Sequence, residues 1–401
     1  MTAADLRARL HRQVAAAGRA PELDLVLAAA RGAQDADAMA RIHRRVAEPL
    51  DWRYVAETAS RHGMIPLVYR ALRDVPGVPQ DARALMRAPA HSLALLSALR
   101  SREVRAVMTA VRDAGVPALT FKGVALGVMS YGSESLRKPG DLDLLIHARD
   151  YEAVRDLLEP RGYAPRTARA DEAHVRRTRS SITFEHPDGD VDLHWTLDQK
   201  PFDSLPYGIR FDDDALWAES VTVDLGGTPV RTLGPAHALL YLCGHGVKHS
   251  WALFYSACDV AETVRAHPGL DWDAVAREAR SQRMTRIYHL GLLLGYGLLG
   301  APVPADVLAT ALADARACDA ACAVAGWVFD PDSKAGERHL DLPDKLKYYR
   351  YRMALLERPH EKGLYLLFRG LRRFWPSKPA APAPGGDGAA PAPLPPVGPK
   401  R

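Results

Sequence analysis

At 401 residues the chain is too long for one ordinary hydrophobic core, and two or three subdomains are expected. Hydrophobic residues at 47% and charged residues at 25% mark a globular chain and exclude wholesale disorder. The longest apolar run, 287–299, is broken by Tyr288, His289 and three glycines and is too short for a bilayer, which takes about 20 apolar residues. A net charge of +5 is modest and does not by itself demand a nucleic-acid partner.

The first ten residues are polar and lead into an Arg/Ala-rich helical pattern, unlike a secretory signal. With only four cysteines (Cys243, Cys258, Cys318, Cys322), the expectation is a cytoplasmic protein with reduced thiols. Residues 1–114 read as helices: Val104, Val107, Met108 and Val111 recur at i, i+3, i+4 and i+7, and Gly115 follows as a C-cap. At 116–121 a short apolar run reads as a strand, followed by a short helix over 124–130 and a Gly/Ser/Pro-containing loop over 131–140. A second strand is predicted over 141–146 and a helix over 150–159, broken by Arg161-Gly162-Tyr163. Six arginines fall between 161 and 179 against Asp171 and Glu172, a patch that suits a phosphate-bearing substrate or a solvated basic face.

Strands over 181–185 and 191–197 flank Pro187-Asp188-Gly189-Asp190, the signature of a hairpin. A small β unit (221–225 and 229–233, joined by Gly226-Gly227) closes the domain. Residues 235–327 are helical, and Cys318 and Cys322, spaced i,i+4 in an Ala-rich stretch, read as small buried residues rather than metal ligands. One or two amphipathic helices with nine Lys/Arg and several aromatics follow over 341–375, suited to an anionic acceptor, a membrane surface or RNA, or simply to a helix packing its aromatics on the body. The last 25 residues, with eight prolines and four glycines, are expected to be disordered. The expected division is a helical region (1–114), an α/β (α+β) domain with a mixed sheet (115–234), a helical domain (235–376) and a tail (377–401).

The chemistry is concentrated in Asp141-Leu142-Asp143-Leu144-Leu145-Ile146. Alternate residues of a strand share a face, so Asp141 and Asp143 point one way while Leu142 and Leu144 enter a core. Paired carboxylates repel unless a cation lies between them, and magnesium prefers oxygen ligands. In Val191-Asp192-Leu193-His194-Trp195 the arrangement repeats, with Asp192 and His194 on one face. Asp192 is the preferred third carboxylate; Asp190 shares its face but is explained by turn chemistry. His194 contacts substrate or a carboxylate, or is a satisfied half-buried histidine. His245 and His249 have the i,i+4 spacing of a zinc pair, but Gly246 stands where a zinc protease needs Glu.

With these residues, the chain resembles the DNA polymerase beta-like nucleotidyltransferase superfamily, and within it the branch called the uncharacterised nucleotidyltransferase family. The matching stretches are Phe121-Lys122-Gly123 with the short helix after it, Tyr131, Arg137, and the two Asp-bearing strands. Residues 62–69 (His-Gly-Met-Ile-Pro-Leu-Val-Tyr), and 242–249 (Leu-Cys-Gly-His-Gly-Val-Lys-His) with Asp259, look like the family's helical signatures. The resemblance implies transfer of a nucleoside monophosphate from a nucleoside triphosphate, ATP included, to a hydroxyl or phosphate of an acceptor. Asp141, Asp143 and Asp192 would be the catalytic, metal-binding triad for Mg2+, with Mn2+ as a substitute. Lys122, Gly123, Arg137, Lys248 and His249 would contact the nucleotide, the Gly123 turn bringing backbone close to phosphate at a helix N-terminus. The superfamily often has Gly-Ser or Gly-Gly at that turn, whereas this chain has Gly123-Val124, with a longer gap to Asp141. A small-molecule, peptide or protein acceptor, as in natural-product or polysaccharide tailoring, is the leading expectation. A toxin-like enzyme acting on tRNA and a non-catalytic nucleotide-binding module are the alternatives.

Overall fold

The computed structural model describes residues 1–32, 35–197, 211, 213–333 and 342–371. The Pro-rich tail and the end of the basic aromatic stretch (372–375) lie outside the described residues. The fold is mixed α/β: a seven-stranded sheet flanked by helices that precede and follow it in the chain.

The strands are β1 (Ala118–Thr120), β2 (Leu142–Ile146), β3 (Ala164–Pro165), β4 (Ser181–Glu185), β5 (Val191–His194), β6 (Val221–Leu225) and β7 (Thr228–Thr232). Their spatial order is β3-β4-β5-β2-β1-β7-β6. β2 pairs parallel with β5 and β1 parallel with β7, while the remaining pairs are antiparallel. Both hairpins expected from the sequence are present, as β4–β5 and β6–β7. The second strand begins at Leu142 rather than Asp141, and β5 stops at His194, short of the expected 197.

Strand alternation sorts the sheet's two faces. Leu142, Leu144 and Ile146 join Val191 and Leu193 in one buried cluster, beneath the helices Gln80–Asp113 and Tyr151–Leu158. Leu119, Phe121 and Leu145, on the other face, belong to a larger cluster that runs through the helical body. That body joins the first helix, Ala3–Ala16, to helices late in the chain: Leu6, Leu10 and Val14 are buried with Ala317, Ala321 and Val324 of Ala315–Val328. Thr2 and Asp5 cap the first helix reciprocally, each side chain receiving the other's backbone N–H at 3.1 Å. Gly115, at φ +72°, ends the long helix and turns the chain into β1.

The arginine-rich stretch is structured in a way its pattern did not indicate. It contains β3 and the helix Arg169–Thr178, held by Arg166 to Glu185 at 2.6 Å and by Arg176 to Glu152 at 2.9 Å.

Candidate active site

The parallel register of β2 and β5 sets Asp143 opposite Asp192 and Leu145 opposite His194. Both acidic side chains therefore sit on the face that looks toward the helical body, with the leucines packed on the far side. On β4, Thr183 lies opposite Asp192 and its hydroxyl donates to Asp192 Oδ1 at 2.5 Å. Asp143 is buried, 5% exposed, and its Oδ1 receives Lys122 Nζ at 2.9 Å. His194 Nε2 lies 3.5 Å from the same oxygen and is buried without a hydrogen-bond partner among the described residues. One ligand atom from each of Asp143, Asp192 and His194 falls within 4.8 Å of the others, a spacing that can hold a metal ion.

Asp141 precedes β2 and is exposed at the rim, outside that close group. Its carboxyl is nevertheless pushed up to about 6, first by crowding from the protein and then by repulsion from Asp192, Asp143 and Asp190. Asp143 behaves oppositely. Burial opposes its charge, but Lys122 and His194 outweigh that and hold its carboxyl down at about 2. Lys122 itself is desolvated, yet Asp143 keeps its ammonium above the ordinary lysine range.

Lys122 ends the β1 connection and Gly123 opens the helix Gly123–Tyr131. Gly123 has φ +56°, a left-handed conformation that favours glycine. An added Cβ would stand 3.6 Å from the Asp141 carbonyl, so the backbone angle and not space is the constraint here. A small recess at this turn is lined by Arg100, Glu103, Thr120, Lys122, Gly123 and Asp141, and the helix's free N–H groups make its end attractive to anions.

The opposite wall is the helix Pro235–Lys248. Phe121 lies edge-on between His194 and Tyr241, with ring centroids 5.1 Å from each. From Tyr241 the aromatic row continues to His245 at 5.8 Å and on to His249 at 4.5 Å. His245 is pushed well below the ordinary imidazole range by burial, then by Lys122, His249 and Lys248. His249 is lowered to about 4 by burial, Lys248, Lys122 and Arg352. Burial leads both shifts, and Lys122, Lys248 and Arg352 add positive charge around this wall that would favour an anion. Lys248 and His249 are both exposed at the helix end.

Arg137, expected to contact the nucleotide, is paired with a carboxylate of the helical body. Its guanidinium is buried against Asp259, with hydrogen bonds of 2.9, 3.1 and 3.0 Å, and lies 5.5 Å from the Tyr255 ring. Tyr131 donates to the same carboxylate at 2.8 Å. Arg137 thus braces the loop leading to Asp141 against the helix Tyr255–Ala266. Thr183 and Tyr241 were not singled out from the sequence. Counting back across the β4–β5 hairpin reaches Thr183, but nothing local to Tyr241 announces its place beside Lys122.

The sequence model of a family described as "uncharacterised nucleotidyltransferase" matches residues 48–300. Among curated proteins, none matches. Among solved structures, the chain is similar to a crystal structure of an antigenic nucleotidyltransferase-like protein from Paracoccidioides brasiliensis, at 14% identity and a TM-score of 0.31. That similarity covers 52% of this chain and 96% of the other.

Proposed function

Because the chain belongs to the uncharacterised nucleotidyltransferase family, we propose that it is a magnesium-dependent enzyme that moves a nucleoside monophosphate from a nucleoside triphosphate to an acceptor hydroxyl or phosphate. The observation that carries this reading is the register of β2 with β5, which sets Asp143 beside Asp192 on one face. The two carboxylates suit a hard divalent cation, and His194, its Nε2 buried 3.5 Å from Asp143 Oδ1, completes the cluster. Asp143 and Asp192 would hold magnesium, or manganese in its place, with Asp141 closing the site from the rim. When bound, the metal neutralises phosphate charge and acidifies the attacking hydroxyl.

The chain's own residues divide the remaining work. Thr183 donates to Asp192 Oδ1, which orients the carboxylate so that Oδ2 would face the cation. Lys122 and the backbone at Gly123 receive the triphosphate at the helix N-terminus, Lys248 extends that cationic surface, and His249 stands beside it as a neutral imidazole. Arg137 acts on the site through the loop it braces. A small-molecule, peptide or protein acceptor is the reading preferred over tRNA, since two arginines of the basic stretch, Arg166 and Arg176, already pair with Glu185 and Glu152.

The test is incubation of candidate acceptors with each nucleoside triphosphate and magnesium, ATP first, read by the mass added to the acceptor. Asp143→Asn/Asp192→Asn should lower turnover by about 10³-fold or more, the scale on which charged transition states depend on such groups. Undiminished turnover by that double variant would overturn the assignment.

A further inference from the structure

Lys122 holds a place that a metal ion would contest. Its ammonium is 2.9 Å from Asp143 Oδ1, the oxygen that His194 Nε2 faces at 3.5 Å. Asp143 and Lys122 are both largely removed from water, with side chains 6% and 18% exposed. Charges so placed act on one another with little screening. An ammonium and a divalent cation cannot share one carboxylate oxygen without strong repulsion, and the helix N-terminus where Lys122 sits is a ready anion site.

We infer that Lys122 is a resident counter-ion, neutralising Asp143 in the metal-free protein and handed over to the incoming triphosphate when a divalent cation takes Asp143. The inference rests on the metal-dependent reading above. It gives the two ligands an order: the cation frees the lysine, and the freed lysine completes the phosphate site. Before either binds, the buried carboxylate is never left unpaired.

The test labels wild-type protein with acetic anhydride and follows Lys122 by peptide mass spectrometry, with exposed Lys347 as the internal reference. Manganese binding is measured independently by electron paramagnetic resonance. In metal-free protein Lys122 should be protected. Manganese alone should raise its labelling about tenfold, the change expected when an interaction of roughly 1.4 kcal/mol is lost. Manganese with inorganic triphosphate should restore protection. Bound manganese with Lys122 labelling unchanged would overturn the handover and leave the metal site standing. No manganese binding to wild-type protein would overturn both. A second arm uses Lys122→Met: manganese should raise its melting temperature more than it raises that of wild type. An equal rise in the two proteins would count against displacement.

Discussion

Asp141 and Asp143 are two residues apart and titrate in opposite directions, because only Asp143 has a cation against it. The folded chain holds the Asp141 proton more tightly than the ordinary value of 3.8, up to about 6. Stability from this group is therefore fully present below 3.8 and is lost as the pH rises through about 6. Asp141→Asn should stabilise the metal-free protein at pH 7.5 by about 1 kcal/mol, a figure discounted for the solvent around an exposed residue, with little gain at pH 4. Urea unfolding at the two pH values checks it, and an equal effect at both would show that no charge repulsion is being relieved. That Asp143 and Asp192 each point away from the leucines beside them was legible in the sequence, since a period of two fixes the face on any strand, but that β2 and β5 lie side by side with the two opposite each other was not. The pairing of Lys122 with Asp143 was not, because it depends on how β1 lies beside β2.

Elements are placed by contacts between residues distant in sequence, and there the reading thins. Both hairpins could be read from their turn residues and flanking β-formers. The helix Arg169–Thr178 could not, because its pattern is dominated by charge and its support comes from Glu152 and the Ala148 carbonyl on a neighbouring segment. Arg137 was read as a phosphate contact on resemblance, whereas its partner Asp259 stands 122 residues away on another helix. Removing one member of such a buried ion pair leaves the other unpaired. Asp259→Ala should therefore cost about 3–5 kcal/mol, read in denaturant unfolding. The loop into Asp141 should also become more susceptible to proteolysis. Unchanged stability would mean the pair contributes nothing to bracing that loop.

Across the whole molecule, the larger core ties the first helix to late ones. Leu10 is fully buried, and a Cβ at Gly297 would come within 2.3 Å of its Cδ1. The glycine is what lets the helix Thr285–Leu299 approach this closely. Leu10→Ala should cost about 2–5 kcal/mol in global unfolding, although it lies far along the chain from the acidic residues. A loss confined to fraying of the first helix, with the midpoint unmoved, would contradict a shared core. Helical character at both ends was evident from periodicity, but that the ends share one core was not, since amphipathic stripes carry no address.

That closure has a consequence for how the protein is made. Synthesis proceeds from the N-terminus, so the Ala3–Ala16 helix emerges hundreds of residues before its partner Ala315–Val328. Until then its apolar stripe of Leu6, Leu10 and Val14 has no late helix to cover it. The sheet's Leu142–Ile146 face, by contrast, can be covered by Tyr151–Leu158, a neighbour in sequence. On a translating ribosome, this early helix would be among the last to dock, and a chaperone that binds nascent apolar helices would find it waiting.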